Sequence, residues 1–200
     1  MRDGNTNDGG LTWPWVAAFA ALAVLHRLVP YLFDLGPEAR FAWNFAPVGA
    51  LGLFAGARWR SPLALLAPAA VMLVSNLLMW PFLAAKGYSP FDWGTPIIFL
   101  SFTAYALIGR SMSRSSAAWV TAAPFVGALQ FFLVTNFAVW LGGDGALYAK
   151  NLAGLTQCYV AGLPFFPNTL GGDLAFSCLF FGAHGLSIAL LPRLKQSQPA

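Results

Sequence analysis

Charged side chains are scarce in this sequence: Asp, Glu, Lys and Arg make up 9% of its 200 residues. Soluble domains carry about 25% charged residues. A water-soluble globule is therefore excluded, because it would leave far too much apolar surface in contact with water. The 11 Lys and Arg residues are scattered, and the net charge is only +4. This excludes the clustered basic surface with which proteins bind nucleic acid.

Patterns for metal binding and catalysis are absent as well. The chain has 2 Cys and 2 His, with neither a CxxC pair nor a His/Cys metal pattern, so we expect no metal and no cofactor. It has no GxxxxGK[ST] phosphate loop and therefore cannot power transport itself. His26, Asp173 and His184 are conceivable acid/base groups of an intramembrane enzyme. No HExxH, GxSxG or paired-carboxylate motif supports that alternative, and we predict no catalytic residue.

Long apolar runs dominate the chain, which is 58% hydrophobic. A helix of roughly 20 apolar residues crosses the hydrocarbon core of a bilayer. The runs predict an all-α membrane protein with about six transmembrane helices, near residues 13–33, 44–57, 62–83, 95–108, 117–141 and 170–191. We expect one transmembrane domain (13–192) between a disordered cytoplasmic tail (1–12) and a second cytoplasmic tail (193–200). The first run lacks the strongly basic start of a signal peptide, so we interpret it as a retained helix.

The stretch CYVAGLPFFPNTLGGD, residues 158–173, differs from these runs. It contains several Gly, Pro and polar residues, which are unusual for an ordinary transmembrane helix. We predict a re-entrant or interfacial helix over residues 148–166, on the outer side and before the last span. The stretch 158–173 would act as a lid. Gly162, Pro164 and Pro167 would set its turns.

Orientation follows from the distribution of Lys and Arg, which are enriched on the cytoplasmic side. With six spans, three of these residues fall on one side: Arg40, Lys86 and Lys150. Seven fall on the other side, with Arg27 inside the membrane: Arg2, Arg58, Arg60, Arg110, Arg114, Arg193 and Lys195. We therefore predict a multi-pass protein of the bacterial inner (cell) membrane with both termini in the cytoplasm.

Two small-residue patterns predict close helix packing. Gly52 and Gly56 form a GxxxG motif in the short second run, and Ala17 and Ala21 form a similar stripe in the first run. Small residues four positions apart let two helices approach closely in lipid. The second run has only 14 residues before Arg58, and such short spans often contribute to transporter binding sites.

Polar side chains from several predicted helices lie at one depth, in the outward half of the membrane. Each such group costs free energy unless it is paired or hydrated, so we predict a hydrated pocket that opens outward. Each of these residues also has a simpler interpretation when it is taken alone. The Asn side chains could form hydrogen bonds between helices, and the Arg27 side chain could extend to the membrane–water interface. Asp173 could lie near a helix N-terminus, where the helix dipole favours a negative charge. We also expect Arg27 and Asp173 either to pair or to contact the ligand. The predicted substrate-binding residues are Arg27, Asn44, Asn76, Asn136, Trp140, Tyr159, Asn168 and Asp173.

Three stretches carry a family resemblance: NFAPVGALGLFAGA (44–57), TNFAVW (135–140) and CYVAGLPFFPNTLGGDLAF (158–176). At these stretches the chain resembles a bacterial family of uncharacterised integral membrane proteins. That family is similar to the substrate-binding S components of energy-coupling-factor (ECF) transporters. The resemblance extends over roughly residues 27–181.

The resemblance implies an S-component-like bundle of six helices with cytoplasmic termini, which binds a vitamin-like small molecule near the outer face. S components present an Ala-x-x-x-Ala stripe to a transmembrane coupling subunit, and Ala17 and Ala21 would fill that role here. The expected function is substrate capture for an importer, with a separate coupling subunit and ATPases as partners. The alternative is a structural or assembly protein of the bilayer that binds no ligand.

Overall fold

A computed structural model describes residues 9–33, 35, 44–112 and 117–196. The described residues are helical or irregular and include no strand. Two short 3₁₀ helices, Pro62–Leu65 and Leu163–Phe165, precede the third and the last α-helix. The α-helices are α1 Gly9–Leu32, α2 Val48–Arg58, α3 Ala67–Ala84, α4 Thr95–Ser111, α5 Ala117–Gly142, α6 Leu152–Gly162 and α7 Phe166–Gln196.

Four helical stretches among the described residues are long and apolar enough to cross a membrane. They are Thr12–Leu32, Ala67–Ala84, Ala118–Gly142 and Leu152–Leu190. These stretches indicate a membrane protein and confirm an all-helical fold. Helix α4, with 17 residues, and α2, with 11, are shorter. The count of six spans therefore stays a prediction.

Helix α2 lies at the centre of the bundle. It is about 16 Å long, about half the thickness of the hydrocarbon core, and every residue from Val48 to Gly56 is buried. Its glycines face α4: a Cβ at Gly56 would overlap the carbonyl oxygen of Ala106, and one at Gly52 would come within 2.9 Å of the Tyr105 Cβ. The GxxxG motif thus packs two helix backbones together, as the sequence predicts.

Aromatic rings join α1, α2 and α7 beside this crossing. Phe19 stacks on Phe180 with ring centroids 4.0 Å apart, and it meets the edge of Phe54 at 5.0 Å. Both Phe54 and Phe180 are fully buried. Aromatic pairs of this geometry stabilise a core beyond their buried area alone, so these rings fix α1 and α7 against α2.

The stretch 158–173 is more regular than the sequence suggests. It is helical throughout, apart from the single 3₁₀ turn Leu163–Phe165 that joins α6 to α7. Pro164 is the second residue of that turn and Pro167 lies in the first turn of α7, positions where the missing N–H costs little. The predicted turns at Gly162 and Pro167 are therefore wrong, and the last long helix begins at Phe166 rather than near residue 170.

Both predicted tails are partly helical. Helix α1 begins at Gly9, and Thr12 is buried, so packing extends the helix into the expected tail. Helix α7 continues to Gln196, because a helix satisfies its own backbone hydrogen bonds and need not end where the apolar run ends. Residues 1–8 and 197–200 lie outside the described residues, as do Arg2, Arg40 and Arg114 of the orientation argument.

Candidate functional site

The structure places five of the eight predicted binding residues in three separate groups, and the first group contains Arg27 and Asn76. Arg27 on α1 donates to the Asn76 side-chain oxygen on α3 at 2.9 Å and to the Met72 sulfur at 2.5 Å. Asn76 in turn donates to the Pro90 carbonyl oxygen at 3.0 Å. These bonds hold the guanidinium against α3, so Arg27 does not simply extend to the interface.

Asp173 forms the second group with Tyr105, a residue that the sequence reasoning missed. The Tyr105 hydroxyl donates to Asp173 Oδ2 at 2.6 Å, and both side chains are buried. The other carboxylate oxygen lies where a Cβ on Gly49 would be, beside the first turn of α2. A helix N-terminus favours negative charge, so Tyr105 and the α2 dipole together stabilise this carboxyl group.

Arg27 and Asp173 therefore have different partners, and no ion pair joins them within the described part of the chain. The predicted Arg27–Asp173 pair is wrong. The physical reason is that Arg27 projects from α1 onto α3, whereas Asp173 projects from α7 onto α2 and α4. Which faces of two helices meet cannot be read from hydropathy alone.

The third group lies between α5 and α6. Asn136 donates to its own helix at the Phe132 carbonyl oxygen, and its amide occupies the space that a side chain on Gly162 would need. Tyr159 donates to the Leu133 carbonyl oxygen at 2.9 Å, and the Cys158 thiol donates to the Asn136 carbonyl oxygen at 3.3 Å. These contacts join α6 to α5, so the first role that the geometry assigns to Asn136 and Tyr159 is packing.

Asn44 and Asn168 are half-buried. Neither side chain makes a hydrogen bond to another described residue. Their amides are therefore available to a ligand, but neither residue lines either of the two pockets described below for the described part of the chain.

Trp140, the remaining predicted residue, lines a pocket of about 290 Å³ between the start of α4 and the end of α5. Three aromatic side chains surround it, Trp93, Trp140 and Tyr148, together with two carboxylates, Asp92 and Asp144. The other lining residues are Gly94, Ile97, Ile98, Thr135, Ala138, Val139, Gly143, Gly145 and Leu147. Mostly apolar pockets with a few polar groups are the usual form of a small-molecule site.

The loop after α5 shapes this pocket. Gly145 has φ +89°, a conformation that favours glycine, and Asp144 Oδ1 accepts the Ala146 N–H at 2.8 Å. Lys150 donates to the Trp140 and Leu141 carbonyl oxygens at 2.5 and 2.6 Å. A cation is favourable at a helix C-terminus. Lys150 therefore caps the C-terminus of α5 and holds the following loop against this helix end.

Sequence reasoning missed most of this pocket. Of the lining residues it selected only Trp140, and it gave Asp92, Trp93, Asp144 and Tyr148 no binding role. The available signal was the clustering of acidic and aromatic residues in two loops, 91–93 and 144–148. Because the pocket forms only where these two loops meet, neither loop alone indicates it.

Ala17 and Ala21 lie on the other side of the bundle. Both are exposed, and both line a groove of about 410 Å³ between α1 and α3. Nearly the whole lining is apolar: Trp13, Val16, Ala20, Val24, Trp59, Ala67, Ala70, Val71 and Val74 complete it. The small-residue stripe thus remains uncovered by the described part of the chain.

The comparison with known protein families finds a match that extends over residues 9–194. The matched family is described as a family of unknown function, DUF6580. The chain belongs to DUF6580. The match includes all three stretches that carry the sequence resemblance, so membership in an uncharacterised family is confirmed, whereas a relation to ECF S components stays a prediction. Neither the curated proteins nor the solved structures contain a match to this chain.

The two histidines of this DUF6580 protein pack among aromatic rings. His26 meets the edge of Phe176 at 5.4 Å, and His184 lies 5.3 Å from Phe54 and 6.1 Å from Trp15. Asp173, the third conceivable acid/base group, bonds Tyr105 instead. These contacts do not join the three groups to one another, and the expectation that the protein has no catalytic residue stays a prediction.

Proposed function

We propose that this protein captures a small molecule at the outer face of the cell membrane and passes it to a separate ATP-driven module. The observation that carries the proposal is the pocket of about 290 Å³ lined by Trp93, Trp140 and Tyr148. Its volume suits a vitamin-sized ligand, and its lining combines apolar walls with a few polar groups. Of the residues selected from the sequence, Trp140 is the one that we retain in the ligand site.

The charge distribution supports an outward-facing pocket. Lys86 and Lys150 lie in the two loops that flank it, whereas Arg58, Arg60 and Arg110 lie at the opposite ends of α2 and α4. Cytoplasmic loops carry the excess of Lys and Arg. With both termini in the cytoplasm, the ligand would enter from outside the cell.

The uncovered groove between α1 and α3 supports a coupling partner. Ala17 and Ala21 are small and exposed there, which would allow a helix of a transmembrane coupling subunit to approach α1 closely. Since the chain has no phosphate loop, a separate subunit would have to supply the ATP hydrolysis. An S-component-like role combines these two requirements.

A structural role without ligand is the second candidate, and a specific observation favours it. Arg27, Asn76, Asn136, Tyr159 and Asp173 all bond groups within the protein. These side chains therefore stabilise helix contacts whether or not a ligand binds. The two candidates differ at the pocket, where a structural protein requires no ligand.

A thermal-stability measurement separates the two candidates. The purified protein would be mixed with fractions of a small-molecule extract from its own cells, and we expect at least one fraction to raise its melting temperature. Trp140→Leu removes one aromatic wall, and Val139→Trp fills the pocket without removing any of the hydrogen bonds described above; both should abolish the shift. Trp119→Leu is the matched control, because Trp119 is exposed and lies outside the pocket lining.

The outcomes are distinct for each variant. Ligand capture predicts a shift in the parent protein and in Trp119→Leu, and none in the two pocket variants. A shift that persists in both folded pocket variants would contradict this pocket as the site. No shift with any fraction would favour the structural role.

A further inference from the structure

We infer that the pocket between α4 and α5 takes a small organic cation, such as a protonated or quaternary amine with an apolar body. This inference rests on the proposed function and names the substrate class for the same pocket. The juxtaposition of Asp92, Asp144 and three aromatic rings carries it. Arg27 and Asp173, which the sequence suggested as charge partners of the ligand, are absent from the lining.

The charge of the lining is the first argument. Asp92 and Asp144 are acidic, and none of the described residues that line the pocket is a Lys, Arg or His. The contrast is specific to this region, because the whole chain carries a net charge of +4. A pocket lined by charge of one sign attracts ligands of the opposite sign.

The hydrogen bonds of the two carboxylates are the second argument. Asp92 Oδ1 accepts from the Thr95 hydroxyl at 3.1 Å, and Asp144 Oδ1 accepts from the Ala146 N–H at 2.8 Å. In each case these bonds leave the second oxygen, Oδ2, without a hydrogen-bond donor among the described residues. A carboxylate accepts several hydrogen bonds. The two Oδ2 atoms can therefore accept hydrogen bonds from a protonated amine, or attract a quaternary ammonium group electrostatically.

A cation beside the pocket, Lys150, already has partners of its own. Lys150 Nζ binds the carbonyl oxygens of Trp140 and Leu141, where the negative end of the α5 dipole already offsets its charge. It also lies 5.5 Å from the centroid of the Trp140 ring. The same indole that lines the pocket is thus already in a cation–π contact, which indicates that its position suits a positive charge.

The aromatic walls are the third argument. Trp and Tyr faces attract cations, and aromatic residues around a quaternary ammonium group form its usual binding site. Ile97, Ile98 and Leu147 supply apolar surface for the rest of the ligand. An anion would meet the two carboxylates without a cationic side chain in the lining to compensate, and a neutral ligand would gain at most hydrogen bonds from them.

A matched set of three probes tests this inference: benzyltrimethylammonium, 3-phenylpropanamide and 3-phenylpropionate. They share a phenyl ring and a similar size but differ in charge. Binding is measured on the purified protein in lipid nanodiscs by tryptophan fluorescence and by the shift in melting temperature. We expect the cation to bind at least about tenfold more tightly than the other two, and more weakly as salt is added.

Variants assign the preference to the pocket. Asp92→Asn and Asp144→Asn keep the size of each side chain, and each should weaken cation binding about two- to fivefold because both groups are exposed. Asp144→Glu keeps the charge and should recover most of the affinity. Trp119→Leu again serves as the control that leaves binding unchanged.

The outcomes separate the inference from the proposed function. Equal binding of all three probes, preference for the anion, or no effect of either Asn variant would overturn the inference. If an extract fraction still stabilises the parent protein in that case, ligand capture stands and only the substrate class is wrong. If the cation binds as expected but no extract fraction shifts the melting temperature, the charge preference stands and ligand capture fails.

Discussion

Replacing Tyr105 by Phe removes the only hydrogen-bond donor that the described residues supply to the side chain of Asp173. The bond is 2.6 Å long, and the two side chains are 0% and 2% exposed. A hydrogen bond contributes about 0.5–1.5 kcal/mol to stability, and a buried group left unsatisfied costs about 1–3 kcal/mol. We therefore expect Tyr105→Phe to lower the free energy of unfolding by about 1–3 kcal/mol.

The measurement is equilibrium unfolding in mixed micelles, with Tyr88→Phe as the matched control. Tyr88 is 68% exposed, so loss of its hydroxyl should cost less than about 0.5 kcal/mol. Asp173→Asn should cost less than Tyr105→Phe, because the amide oxygen still accepts the hydroxyl. A loss at Tyr105 below about 0.6 kcal/mol, the average for polar contacts between membrane helices, would refute the reasoning.

A double-mutant comparison of Arg27 and Asp173 tests whether these two side chains interact. Arg27 bonds Asn76 and Met72 rather than Asp173, so the losses caused by Arg27→Gln and Asp173→Asn should add within about 0.5 kcal/mol. A larger coupling energy would show that the two charges interact after all.

Two further predictions concern packing and topology. Gly56→Ala should destabilise the protein strongly, because the new Cβ would overlap the backbone at Ala106. Gly182→Ala should be tolerated, because nothing lies within 4 Å of the position of its new Cβ. Thermal unfolding compares the two variants. In a Cys-free background, Ser89→Cys should react with an impermeant thiol reagent added to intact cells, whereas Ser111→Cys, at the other end of α4 and also exposed, should not. The reverse labelling pattern would invert the proposed orientation.

The sequence predicted the helices well because apolar runs and helix length depend on local composition. The observed bounds of α3, α4 and α5 lie within a few residues of the predicted runs. The contact at Gly52 and Gly56 was also predictable, since small residues four apart indicate a close helix crossing. These features require no knowledge of which helix is the neighbour.

Features that depend on helix adjacency were not predictable. Tyr105 meets Asp173 across 68 positions of sequence, and a single Tyr in an apolar run gives no hint of its partner. The stretch 158–173 is helical despite its Gly and Pro residues, because each proline lies in a first turn and Gly162 packs against Asn136. The pocket requires two loops to meet, and only the three-dimensional arrangement shows that they do.

Mass spectrometry of the protein extracted from its own membranes tests the central claim most directly. Small molecules released from the purified protein would be compared between the parent and Val139→Trp, the variant in which the pocket is filled. Our account predicts one organic cation that is released from the parent and absent from the variant. The same compounds released from both proteins, or none from either, would contradict ligand capture in this pocket.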